Sequence, residues 1–234
     1  MEPKLLIEKR DALLKRFETM IQKVRLDHQE KMVMTTGHSF LHALFVAQYC
    51  LMIAPDHLQI AGWIAGMLHN TDRLFVGEND DQIAERIIAY LSLTDLPGNE
   101  KNMILEAVMD HSHKSCSSEN QLTTILMDAD KLANLEPLTA AIRAAQWRTG
   151  CSAINLVYLD KYPPGCNYKN PGSIVRDMCS ALEWEEPGWL QTVKAIELAK
   201  PMFSLLKSMV QATIKNHKQA GLIPYPFPED FEIN

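Results

Sequence analysis

A chain of 234 residues, 47% hydrophobic and 22% charged, is long enough for one sizeable domain and fits an ordinary soluble globular protein. No stretch approaches the roughly 18 consecutive apolar residues that span a bilayer, so a membrane protein is not expected. The net charge of −6, without a basic stripe, gives no support for nucleic-acid binding, although a small anionic ligand needs only a local positive pocket.

The opening "MEPKLLIEKRDALLKRFETM" is charged throughout and lacks the apolar core of a signal peptide. The five cysteines are scattered with no CxxC pair, which suits free thiols in a reducing compartment. Together these features predict a cytoplasmic protein.

Helical periodicity dominates the chain in order. Leu5, Leu13, Leu14, Phe17, Ile21 and Val24 recur at threes and fours, so residues 4–33 read as an amphipathic helix with a break near Asp27. Its apolar stripe packs either internally or in a homodimer. "TTGHSFLHALFVAQYCLMIAP" reads as a second helix, started at Thr and Gly and stopped by Pro55. "DHLQIAGWIAGMLHN" is a third, apolar enough to be central. "NDDQIAERIIAYLSLTDLP" is a fourth, ended by Pro97 and Gly98, and "NEKNMILEAVMDHSH" a fifth. "LTTILMDADKLANLEPLTAAIRAAQWRTG" supplies a sixth, divided at Pro137.

The segment 158–172, "YLDKYPPGCNYKNPG", is rich in Pro, Gly, Asn and Tyr and reads as an ordered loop. Its Tyr162, Tyr168 and Lys169 would suit stacking on a base and contact with phosphate, although most such loops are connectors. Two helices follow, "SIVRDMCSALEWE" and "GWLQTVKAIELAKPMFSLLKSMVQATIKNHKQAGL", the second kinked or broken at Pro201. The tail 223–234 holds three prolines and should run extended. The expectation is an all-α, single-domain helical bundle over 1–234.

Eight histidines occur, most of them in the first half of the chain. His38 and His42 are four apart and share a helical face. His69 ends the most apolar helix, His111 and His113 end another, and Asp128 and Asp130 sit in the apolar "ILMDADKLANL". A carboxylate buried there is costly unless it is paired or bound to a metal. Singly, each residue has a structural explanation: a hydrogen-bonded core histidine, a solvated pair, a cap, or a partner for Lys131 or Arg143. Several helices each carrying one such residue resemble the way bundles build metal sites from inward-facing ligands. Imidazole with carboxylate suits a divalent first-row metal better than calcium.

The order His42, then His69 with its neighbour, then Asp130 in "DADKLANL" resembles the HD-domain superfamily of metal-dependent phosphohydrolases. "GHSFLHALFVA" is similar to the family's first-histidine helix, in which the ligand lies four residues before a Val-Ala pair; that position is His42. "IAGWIAGMLHNTDR" resembles the segment that normally ends in Leu-His-Asp, "ILEAVMDHS" the helix that brings a further histidine, His111, and "MDADKLANL" the signature that places a ligand at Asp130. The resemblance covers about residues 36–136, which it makes an HD-like core. Helices and loop over 137–222 would pack on that core, followed by the tail 223–234.

The departure is Asn70, where the family has a ligand Asp that bridges the metals in two-metal members. Asn keeps one coordinating oxygen but no charge. Asp72 could compensate only if the helix ends at His69, because residues two apart do not share a helical face. The resemblance implies one divalent ion (Mn, Fe, Ni, Zn or Mg) held by His42, His69, Asn70, His111 and Asp130. His111 would either complete the shell or bind substrate phosphate. His38 and His113 become candidates for proton transfer or phosphate contact, and Lys131 and Arg73 for neutralising phosphate, although both residues also suit surface ion pairs. Asp128 is expected to orient a ligand histidine. The function implied is hydrolysis of a nucleotide or other small phosphate ester. The alternative is a degenerate HD domain that binds a nucleotide or protein partner without turnover. Retention of four costly polar groups in apolar helices tips the balance towards the hydrolase.

Overall fold

The computed structural model describes residues 2–31, 38–112, 119–136, 145, 154–158, 161–167, 170–223 and 226. Among them the chain is helical and has no strand, as expected; an isolated bridge pairs Asn167 with Asn170. No helix among the described residues is long and apolar enough to cross a membrane.

The first helix pair is α1 (Pro3–Arg16) and α2 (Glu18–Glu30). The break falls at Phe17, with φ −108° and ψ 27°, and not near Asp27. Asp27 stays inside α2 because its carboxylate is satisfied from elsewhere: Tyr90 Oη donates to it at 2.7 Å and Lys23 Nζ at 2.8 Å. It therefore does not compete for the helix backbone as aspartates in helices often do. Phe17 turns inward and is 2% exposed.

Next come α3 (Phe40–Ile53), a 3₁₀ turn over Asp56–Leu58, α4 (Gln59–Leu68), the short α5 (Thr71–Leu74), α6 (Asp80–Ser92), α7 (Gly98–Asp110) and α8 (Gln121–Leu135). The N-cap of α3 is Ser39, inside the segment where Thr and Gly mark the start in sequence. Asn79 and Gln82 form a reciprocal capping box at α6, with both bonds at 3.0 Å. Pro137 lies outside the described residues. After the loop come α9 (Ile174–Ser180), a 3₁₀ turn over Ala181–Glu185 and α10 (Val193–Gln219).

The helix α10 continues through Pro201 and does not stop there. The lost backbone bond and ring clash cost about 3 kcal/mol or more. Burial of Ala199, Phe203 and Leu206 along one stripe opposes that cost.

The chain divides into two compact units. One comprises Met1–Ala133 with Leu190–Ile196, and the other Asn134–Trp189 with Glu197–Asn234. The HD-like core expected over 36–136 falls in the first unit as far as Ala133.

In the first unit α4 is the central helix, as its apolar sequence predicts. Ala61 through Leu68 are all buried. Gly62 and Gly66 lie four apart on one face of it. A Cβ added at Gly66 would meet Ala47 Cα at 2.5 Å and Ala47 N at 2.6 Å. Only glycine allows this approach of α4 to α3, which sets the spacing between the helices that carry His42 and His69.

In the second unit Ser173 caps α9, its Oγ accepting from Arg176 N at 3.2 Å. The guanidinium of Arg176 covers the Tyr162 ring at 4.2 Å and reaches Glu183 at 3.3 Å, while Tyr162 Oη donates to the same carboxylate. The Tyr162 end of the loop is thus held by the protein itself, with the Arg176 guanidinium over one face of the ring. Tyr168 and Lys169 lie outside the described residues.

Candidate metal centre

Each ligand is placed by a local device. Ser39 caps α3 by accepting from His42 N at 3.4 Å, which puts His42 in the first turn, 4% exposed. At the other end of the pair, α4 stops at Leu68 because Thr71 Oγ1 donates to Leu68 O at 2.6 Å. His69 is the C-cap. Its Nδ1 donates to Gly66 O at 2.7 Å, satisfying a carbonyl that the ending helix leaves over. Asp130 projects from α8 with its side chain 32% exposed.

These devices bring three ligand atoms together. His42 Nε2 lies 3.1 Å and His69 Nε2 3.7 Å from Asp130 Oδ1, and the three residues offer atoms that all lie within 4.8 Å of one another. Ligands about 2.0–2.2 Å from one ion are spaced about 3–3.5 Å apart, a range that the 3.1 Å separation of His42 and Asp130 matches and the 3.7 Å separation of His69 and Asp130 slightly exceeds.

The protonation of His69 is set by its surroundings. Burial pushes its pKa well below the ordinary value. The Asp130 carboxylate opposes that shift, and neighbouring His42 and His111 reinforce it. Because a carbonyl has no proton to give, Nδ1 must carry the hydrogen, and Nε2 presents a lone pair. That Nε2 is buried and has no hydrogen-bond partner among the described residues. A histidine held in this tautomer by a backbone carbonyl is the usual form of a metal ligand.

His111 stands beside the group without joining its three-atom core. Its ring centroid is 5.6 Å from that of His69, edge to face, and its Nδ1 donates to Val108 O at 2.6 Å. Its ring stands at the wall of a cleft that also contains His69. The His38 ring lies 6.1 Å from that of His42. His113 lies outside the described residues.

Asn70 is 2% exposed. Its carbonyl starts α5 by accepting from Arg73 N and Leu74 N, and its Nδ2 has no hydrogen-bond partner among the described residues. The early end of α4 meets the condition under which Asp72 can help: His69 and Asp72 line the same cleft. Arg73 pairs with Asp72, Nε to Oδ2 at 3.3 Å, and Lys131 is nearly buried with Nζ donating to Met127 O at 3.4 Å.

Asp128 has a different task from orienting a ligand histidine. It is fully buried, and its carboxylate accepts from Gln191 N at 3.0 Å and Thr192 N at 2.6 Å, just before α10. The backbone amides there carry no sequence signal, so a distant cap of this kind is invisible in the residues around Asp128.

Sequence reasoning passed over His28. It is 1% exposed, its Nδ1 donates to Val24 O at 2.8 Å, its ring meets Phe40 edge to face, and its Nε2 has no hydrogen-bond partner among the described residues. Burial lowers its pKa, and the nearby His42 lowers it further. The available signal was its spacing of four from Val24, on the apolar face of α2. Asp80 and Asp110, which share the cleft wall, were also missed.

The chain matches no protein-family model, no curated protein and no solved structure.

Proposed function

We propose that the protein is an HD-type, metal-dependent phosphohydrolase that uses one divalent ion on a small phosphate ester. The observation that carries this reading is His69: neutral, buried, with an Nε2 that has no hydrogen-bond partner among the described residues and lies 3.7 Å from Asp130, beside His42. An orphaned lone pair beside a carboxylate is costly in an empty protein interior and is satisfied by a cation. Two imidazoles with one carboxylate suit manganese, iron, nickel or zinc.

When bound, such an ion supplies an activated water and neutralises charge on a phosphoryl oxygen. His42, His69 and Asp130 hold it and leave positions open for ligands. His111 is placed to contact substrate phosphate, and His38 to pass protons near neutral pH. The test is elemental mass spectrometry of the purified protein with a His69→Ala control. Near-stoichiometric metal that disappears in the control supports the reading, and a panel of phosphate esters then follows. No metal, even with excess ion, overturns it.

Asn70 favours a second reading, a degenerate domain that binds a nucleotide or partner without turnover. A buried amide without an acceptor among the described residues stands where the family's charged ligand would be. Stoichiometric metal together with inactivity on every ester would select this reading.

A further inference from the structure

The buried imidazole of His28 lies outside the three-residue group but close to one member of it. It is 1% exposed and comes from α2, which packs on α3. Its ring meets Phe40, the first residue of α3, edge to face with centroids 5.8 Å apart, and His42 follows in the same helical turn. His28 Nδ1 gives its hydrogen to Val24 O at 2.8 Å, so the neutral ring keeps a lone pair on Nε2. That nitrogen is buried and has no hydrogen-bond partner among the described residues. A buried acceptor left in this way is costly. The ionisable side chains that act on His28 are Asp27 and His42. Asp27 has no hydrogen to offer, since its carboxylate already accepts from Tyr90 and Lys23. His42 is the neighbour with an N–H to give.

We infer that His28 is a positioning residue for the metal centre: its Nε2 accepts the Nδ1–H of His42 when His42 Nε2 holds the ion. The inference rests on the metal-dependent reading above. The place of the His42 hydrogen decides it. His42 Nε2 lies 3.1 Å from Asp130 Oδ1, and because a carboxylate only accepts, this bond puts the hydrogen of a neutral His42 on Nε2. Nδ1 is then a lone pair, and the lone pair of His28 gains nothing from meeting it. A cation held by Nε2 needs that nitrogen bare. The hydrogen then has to sit on Nδ1, where a ligand histidine almost always finds an acceptor that fixes the ring and raises its basicity. His69 meets the same need inside its own helix, through Gly66 O at 2.7 Å. For His42 the acceptor is His28 Nε2, which no other hydrogen claims among the described residues.

The test is the zinc affinity of the full chain, read by competition with a chelator, beside urea unfolding without metal. His28→Leu should bind zinc about 10–100-fold more weakly, the cost of losing an outer partner of a ligand. Its unfolding midpoint without metal should stay or rise, because the substitution removes a buried acceptor that lacks a donor in that form. His28→Gln, whose side-chain carbonyl accepts, should recover most of the affinity. An unchanged affinity in His28→Leu overturns the inference and leaves the metal-site reading intact. A loss of affinity that tracks a loss of stability, and that His28→Gln does not recover, overturns it as well.

Proton–nitrogen NMR of the imidazoles in the unmodified chain reads the same point without any variant. Zinc should move the His42 hydrogen from Nε2 to Nδ1 while the His28 hydrogen stays on Nδ1. A His28 hydrogen on Nε2, with or without zinc, overturns the inference. Failure of the unmodified chain to bind zinc, manganese, iron or nickel removes the phosphohydrolase reading and this inference with it.

Discussion

His42 Nε2 and Asp130 Oδ1 lie 3.1 Å apart although 88 residues separate them. Asp130 is the one carboxylate of the three-residue group, and it is partly exposed. Asp130→Asn should therefore leave the metal-free fold nearly as stable while weakening metal binding strongly. Removing an outer partner of a ligand costs about 10–100-fold, and removing a ligand's charge should cost at least as much. Competition with a chelator measures it; an unchanged affinity would place the metal elsewhere.

Asn70→Asp puts a charge on a residue that is 2% exposed. Without metal that charge is unpaired, and the melting temperature should fall. With metal it should bind more tightly, and the melting temperature should recover as ion is added. Melting curves with and without the ion check both halves. If metal affinity does not change, Asn70 does not face the site.

Gly66→Ala should destabilise the protein by about 1–3 kcal/mol, the range for overpacking. The new Cβ would lie 2.5 Å from Ala47 Cα, which is backbone and has no rotamer to yield. Urea unfolding reads the loss. Metal affinity should fall as well, because the same approach of α3 to α4 sets the separation of His42 and His69.

Tyr90→Phe removes the hydroxyl that donates to Asp27 at 2.7 Å. Asp27 is 5% exposed, so one oxygen of a buried carboxylate is left unsatisfied. The expected cost is about 1–3 kcal/mol, and Asp27→Asn should recover part of it in the double variant. Full additivity of the two changes would mean that the bond does not contribute.

Stability of the metal-free protein should fall with pH below about 6.5, the ordinary histidine value. Burial holds both His28 and His69 below that value in the fold, so between their folded and unfolded pKa values the unfolded chain binds more protons. The contribution is fully present above about 6.5 and is lost as pH falls towards the depressed folded values. Burial raises Asp128 instead, which gives the opposite slope, and that slope belongs to more acid conditions. Urea midpoints across the histidine range give the slope, and His69→Asn should flatten it. A pH-independent midpoint would show that neither histidine is held neutral.

By itself the sequence determined the all-helical class, the central place of α4, and the candidates His42, His69 and Asp130 for a shared site. Those features are local: apolar residues on every face of "AGWIAGML", a polar residue in an apolar helix, and four short motifs in one order. Tertiary structure decided the rest, because a polar group's task depends on which partner reaches it. Asp27 stays inside a helix because Tyr90, 63 residues away, donates to it. Asp128 anchors Gln191 and Thr192 through backbone amides that look alike in every sequence. His28 and the carboxylates of the cleft likewise carry no local signal, since burial and shared walls exist only once the helices have packed.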